Sequence, residues 1–85
     1  LRLLAQPLTA DVVSIIPAGP PVRFRWDRRD HAVSRSWGPE RIETGWWREP
    51  PASRDYFRVE TNVGCRFWLF HTLDTSQWFL HGVFD

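Results

Sequence analysis

"CRFWLFH", Cys65 to His71, is the stretch whose reading decides the fold. Along an extended strand, successive side chains point to opposite faces. Phe67 and Leu69 therefore share one face, and Trp68 and Phe70 share the other. A strand that is apolar on both faces is expected as the central strand of its sheet. Its neighbours in sequence are "RDYFRVET" (54–61) and "QWFLHGVF" (77–84), joined to it through the short turn-forming segments "NVG" and "LDTS". Three strand-like runs with such separators predict an antiparallel meander. In the first run Phe57 and Val59 oppose Tyr56, Arg58 and Glu60. In the third, Trp78 and Leu80 are expected on one side, with Phe79 and Val83 on the other.

Working outward, "VRFRW" (22–26) alternates Val22, Phe24 and Trp26 with Arg23 and Arg25, the pattern of a half-buried strand. A charged turn at 27–30 and a partner strand "HAVSRSW" (31–37) would close a hairpin. "ADVVSII" (10–16) is β-branched and reads as a strand stopped by Pro17, after which "PAGPP" forms a stiff turn. Leu1 to Leu4 is a short apolar start broken by Pro7. No long segment carries a 3.6-residue period with caps. The expected fold is all-β: a small antiparallel sheet curled into a partial barrel and ending in the three-strand meander. Residues 1–19 are expected as a lead-in with a first strand, and 20–85 as the β domain proper.

Eighty-five residues suffice for one domain. Six Trp, six Phe and Tyr56 supply the apolar surface that a short chain otherwise lacks. A net charge of +1 disfavours a purely electrostatic nucleic-acid binder. All 11 cations are arginine, which pairs bidentately with carboxylates and phosphates as lysine does not. The single Cys65 cannot form an internal disulfide, fits a reducing cytoplasm, and is expected as a small buried thiol. No apolar run approaches a membrane span and no signal peptide is visible. A chain that starts at Leu1 and contains no methionine is expected to be one domain of a larger protein.

Enzyme motifs are missing: there is no phosphate-cradling glycine loop, no Gly-x-Ser-x-Gly and no His-Glu-x-x-His. His71, His81 and Cys65 lack metal-ligand spacing, and Asp55 and Asp74 read as solvated turn residues. No catalytic residue, metal or cofactor is expected. "GPERIETGWWREP" (38–50) reads as a loop folded back as a lid, with one of Trp46 and Trp47 filling the core and Arg48 at its rim. Thirteen aromatics are too many for so small a sheet to hide. Exposed aromatics beside arginine have the composition of a binding hot spot. The candidate partner-binding residues are Trp46, Trp47, Arg48, Arg54, Arg58 and Trp78. Stacking of single-stranded bases on such aromatics is the alternative use.

The succession "PPVRFRW", "GPERIETGWW", "RDYFRVE", "G-C-RFWLF" and "WFLHGVF" resembles the C-terminal domain of ImuB-type proteins. These are Y-family polymerase homologues of the bacterial inducible mutagenesis cassette. The likeness runs from about Pro20 to Phe84 in five ordered motifs. It implies a non-catalytic adaptor acting in SOS-induced translesion synthesis, a DNA-damage response of the cytoplasm. It also implies docking of a protein partner on this domain. The partners implied are the RecA-related accessory protein ImuA and/or an error-prone replicative-type polymerase, with clamp and DNA binding in other parts of the parent; a weak DNA contact here rests on the aromatic–arginine composition alone. The resemblance carries over no catalytic residue. On this reading the segment from Gly38 to Pro50 is a family signature in a long crossing between two halves of the sheet.

Overall fold

The computed structural model describes residues 2–16, 19–43 and 53–84. They form seven strands: β1 (Arg2–Thr9), β2 (Asp11–Ser14), β3 (Pro21–Trp26), β4 (Arg29–Glu43), β5 (Ser53–Thr61), β6 (Arg66–Thr72) and β7 (Trp78–Phe84). All belong to one antiparallel sheet in the order β1-β7-β6-β5-β4-β3-β2. None of the described residues is helical, so none forms a helix long and apolar enough to cross a membrane.

The sheet must curl, because its two edge strands are consecutive in sequence. Only Ala10 separates β1 from β2. Ala10 is buried, and its N–H donates to the carbonyl of Trp78 at 3.0 Å, tying that corner to β7. In a flat sheet β3 and β6 would lie three strand spacings apart, about 14 Å. Here the rings of Phe24 (β3) and Phe67 (β6) are 5.3 Å apart, and Trp26 sits 5.9 Å from Phe67. The inner face of this half-barrel is the core: Phe24, Phe57, Val59, Phe67, Leu69 and Leu80, with Val12, Trp26, Val33, Trp78 and Val83 packed against it.

The meander β5–β6–β7 forms as expected. Leu69 stands opposite Phe57 on β5 and Leu80 on β7. β6 is interior, although the middle position of the sheet falls to β5. Val83 departs from the expected alternation. Trp68 pairs with Gly82 while Leu69 pairs with Leu80, so β7 carries one extra residue, His81. This bulge returns Val83 to the core face and turns His81 outward.

The β3–β4 hairpin also forms, with a tighter turn than expected. Asp27 and Arg28 both have positive φ (54° and 61°) between the paired Trp26 and Arg29. Positive φ at both central residues is the type I′ geometry that matches strand twist. β4 then runs well beyond Trp37, through Gly38 and Pro39 to Glu43. It passes the proline by a bulge between the pairs Trp37–Arg58 and Glu40–Tyr56. Because β4 and β5 are neighbours, the segment expected to cross between two halves of the sheet instead joins adjacent strands. Its Trp46, Trp47 and Arg48 lie outside the described residues.

β1 likewise continues past Pro7, with a register irregularity between Leu3 and Leu8. Together with β2 it makes residues 2–14 the two edges of the same sheet as the rest of the chain. β2 ends at Ser14, leaving Ile15 85% exposed. Cys65 is exposed rather than buried. It belongs to the β5–β6 turn, where its N–H donates to the Thr61 hydroxyl and its carbonyl accepts from the Thr61 N–H.

Phe67 meets Phe24, Trp26 and His31 at the closing seam of the curl. Phe67→Ala should cost roughly 3–5 kcal/mol, enough to unfold most of a domain this small. Urea denaturation measures the loss, and a midpoint unchanged from the parent would remove Phe67 from the core.

Candidate functional site

The same register that builds the core puts a second aromatic set on the outer face. Residues directly opposite one another across β4, β5, β6 and β7 form rows there. One row runs Arg35, Glu60, Arg66, Phe84; the next Trp37, Arg58, Trp68; the third Glu40, Tyr56, Phe70, Phe79. Each row is a ladder of cross-strand neighbours, whose side chains are close enough to interact.

Tyr56 and Phe70 form the buried base of this layer. The Tyr56 ring lies 4.4 Å from Trp68 and 5.1 Å from Phe70. Its hydroxyl is 3.3 Å from Arg54 Nη1, which donates to it, and 3.0 Å from His81 Nδ1. Arginine only donates, so the hydroxyl proton is free to go to an unprotonated Nδ1. A neutral His81 suits this arrangement. Burial lowers its pKa, and the nearby Arg54 charge lowers it further. The His81 ring stacks on Trp68 with centroids 5.2 Å apart and planes 1° from parallel. The Arg54 guanidinium also covers the Phe70 ring at 4.5 Å.

Above this base lies an open groove of about 300 Å³, lined by Trp37, Gly38, Glu40, Tyr56, Arg58, Trp68 and Phe84. Gly38 shapes it. Its φ is +130°, and a Cβ there would stand 2.6 Å from the backbone oxygen of Tyr56. The β4 bulge thus closes down on β5 only because this position lacks a side chain. Trp37, just before the bulge, is 44% exposed. Arg58 lies between two aromatic rings, 5.7 Å from that of Trp37 and 5.6 Å from that of Phe84. It makes no ion pair or side-chain hydrogen bond among the described residues. Glu60, by contrast, is held by Arg66 at 2.9 Å across the strands, an exposed pair worth a fraction of a kcal/mol.

The inner face carries a different polar group at one end. Asp55, expected as a solvated turn residue, is buried in β5. It accepts from Arg41 Nε at 2.9 Å and Nη2 at 3.3 Å. This partner comes from a stretch of β4 that sequence alone reads as loop. The Asp55 hydrogen bond and charge raise the Arg41 pKa further. Opposite Asp55, His71 is buried with Nε2 3.2 Å from the Ser76 hydroxyl and its ring 4.8 Å from Trp78. Burial lowers the His71 pKa, and the Asp55 charge opposes that only in part. Asp74 is in an exposed turn and caps the N–H of Thr75. Among the described residues no three His, Cys, Asp or Glu side chains converge as metal ligands would.

Of the candidate partner-binding residues, Arg54 and Arg58 both lie on the outer face, and Arg58 alone of the two lines the groove. Trp78 is on the inner face, half-buried against the core. Trp37, Tyr56, Trp68 and Phe84 complete the outer cluster and were not singled out from sequence. The signal is the alternation of Trp68 with Leu69, which sequence alone reads as burial on both faces. Trp68 is in fact half-buried at the edge of a groove.

Two outcomes follow from this geometry. Gly38→Ala should lose roughly 1–3 kcal/mol through strain at a positive φ and the clash with Tyr56; a denaturation midpoint equal to the parent's would contradict the bulge. Stability should also depend on pH through His71 and His81, whose ordinary value is 6.5. Both pKa values are lowered in the fold, so the unfolded chain binds more protons once the pH falls below that value. Thermal melts should therefore be steady above about pH 6.5 and decline as the pH falls through it. The decline should be shallower in His81→Gln, and identical pH profiles for parent and variant would exclude His81 from the effect.

No protein-family model matches the chain, and no solved structure matches it. It is similar to Protein ImuB of two strains of Caulobacter vibrioides, 38% identical over 98 aligned residues in each case. The alignment covers 99% of this chain but spans only about a fifth (21%) of each relative's length. That fifth is the relatives' C-terminal part. Over nearly its whole length, then, the chain is similar to the C-terminal part of ImuB, in line with an ImuB-type C-terminal domain.

Proposed function

We propose that this domain is a non-catalytic protein-interaction module of an adaptor in bacterial SOS-induced translesion synthesis, acting in the cytoplasm. The observation that carries the reading is the outer face: Arg58 lies between Trp37 and Phe84, unpaired among the described residues, over an open groove. Trp, Tyr and Arg gathered around one pocket have hot-spot composition. The likeness to ImuB supports a place in the mutagenesis machinery. The partners proposed are the RecA-related accessory protein ImuA and the error-prone replicative-type polymerase. Trp46, Trp47 and Arg48 remain proposed contributors beside Arg54 and Arg58. Trp78 would contribute only from the opposite face.

The test is capture of each proposed partner, and of the sliding clamp as control, by the immobilised 85-residue chain. Trp37→Ala should leave the melt close to the parent's while weakening capture by about 2 kcal/mol, roughly thirtyfold. Trp46→Ala and Trp47→Ala, made separately, assign the remaining part of the surface. Normal capture by the Trp37→Ala and Arg58→Glu variants would move the interface off this face. Steep loss of binding with salt, shared by a single-stranded oligonucleotide, would favour DNA instead.

A further inference from the structure

We propose that the groove beside Arg58 takes a short extended segment of the partner protein, in which one bulky apolar side chain is flanked by a carboxylate. This rests on the interaction reading above and deepens it by naming the chemistry of the occupant. Size is the first argument. About 300 Å³ is at the lower limit for a ligand pocket, room for one large side chain and not for the face of a helix. The lining crosses four neighbouring strands, from Trp37 on β4 to Phe84 on β7. Three spacings of about 4.8 Å give roughly 14 Å, the length of about four residues of extended chain.

Charge decides the flank. Around the groove the outer face presents Arg35, Arg54, Arg58 and Arg66 against Glu40 and Glu60. Arg66 and Glu60 satisfy each other, and Arg54 is turned onto Phe70 and the Tyr56 hydroxyl. The Tyr56 hydroxyl in turn already has two partners, Arg54 and His81. Polar recognition therefore falls to Arg58, with Arg35 nearby in the adjacent row, and neither meets a carboxylate among the described residues. Glu40 lines the β4 side of the groove, in the Tyr56 row next to that of Arg58. The charge thus changes sign along the strand direction, from the Arg58 row to the Glu40 row. The anchor sits against Trp37, Trp68 and Phe84, and the acid points toward Arg58 and away from Glu40.

The experiment uses acetylated, amidated nonapeptides with Trp, Phe, Leu or Ala at the centre and Glu, Gln or Lys in the flanks. Binding to the 85-residue chain is measured by fluorescence anisotropy, with a melt of each protein variant as a folding control. Peptides with an apolar centre and Glu flanks should bind about tenfold or more tightly than their Lys-flanked counterparts. Arg58→Glu should reverse that preference, Arg58→Gln should abolish it, and an Ala centre should bind weakest. Equal binding whatever the flank, or a Glu preference that survives Arg58→Glu, overturns the proposal. So does an oligonucleotide that displaces the peptide and depends on Arg58 more strongly. Partner capture that needs Trp37 while no peptide shows an acid preference defeats this inference and leaves the interaction reading intact. Capture indifferent to Trp37 and Arg58 defeats both.

Discussion

The edge-to-face contact between Phe24 and Phe67, 5.3 Å between centroids, is the interaction on which the rest of the structure depends. It joins strands that a flat sheet would hold about 14 Å apart. Once made, it turns one face of the sheet into an enclosed core and leaves the other convex. The single-residue link at Ala10 enforces the same curl from the chain's side. β1 and β2 cannot be opposite edges of one sheet unless those edges approach each other. Apolar burial and covalent connectivity thus demand the same shape.

A curled sheet of this size cannot put every aromatic side chain inside. Among the described aromatics, Phe24, Trp26, Phe57, Phe67 and Trp78 face inward, and Trp37, Tyr56, Trp68, Phe70, Phe79 and Phe84 spread over the outside. Local irregularities then convert this surplus into a shaped surface. The bulge at His81 brings an imidazole against Trp68 and the Tyr56 hydroxyl while keeping Val83 inside. The bulge at Gly38 bends β4 onto β5 and opens the groove beside Trp37. Bulges are where a strand can re-aim side chains without giving up its pairing. Both of these border the proposed binding face.

The parts of this fold that were legible in sequence depend on uninterrupted period-2 alternation. Phe67 and Leu69 against Trp68 and Phe70 specified an interior strand, and the short turns around it specified the meander. Val22 to Trp26 likewise announced the hairpin. Legibility failed wherever one residue breaks the period. Proline in "WGPE" reads as the end of a strand, because Gly38 permits the bulge but only pairing with β5 carries the strand on past it. Simple alternation puts Val83 on the wrong face for a similar reason, since nothing in "LHGVF" says that His81 is the extra residue. Asp55 looked solvated because its partner, Arg41, becomes a strand residue only after that bulge. Cys65 looked buried because it adjoins an apolar run, although it falls in the turn before the strand starts. The outer face was half visible: Arg54 and Arg58 were picked out, whereas Trp37 needed the β4–β5 register to find its place beside Arg58.

The fold is a partition: one curled sheet with one aromatic set sealed inside and a second set left outside. Aromatic nuclear Overhauser contacts in the 85-residue chain test it most directly. Protons of the Phe24 ring should show strong cross-peaks to Phe67. Trp37, on the opposite face, should show none to Phe67. Absence of the Phe24–Phe67 contact, or its replacement by contacts between Phe67 and Trp37, would contradict the curl and the two-faced surface derived from it.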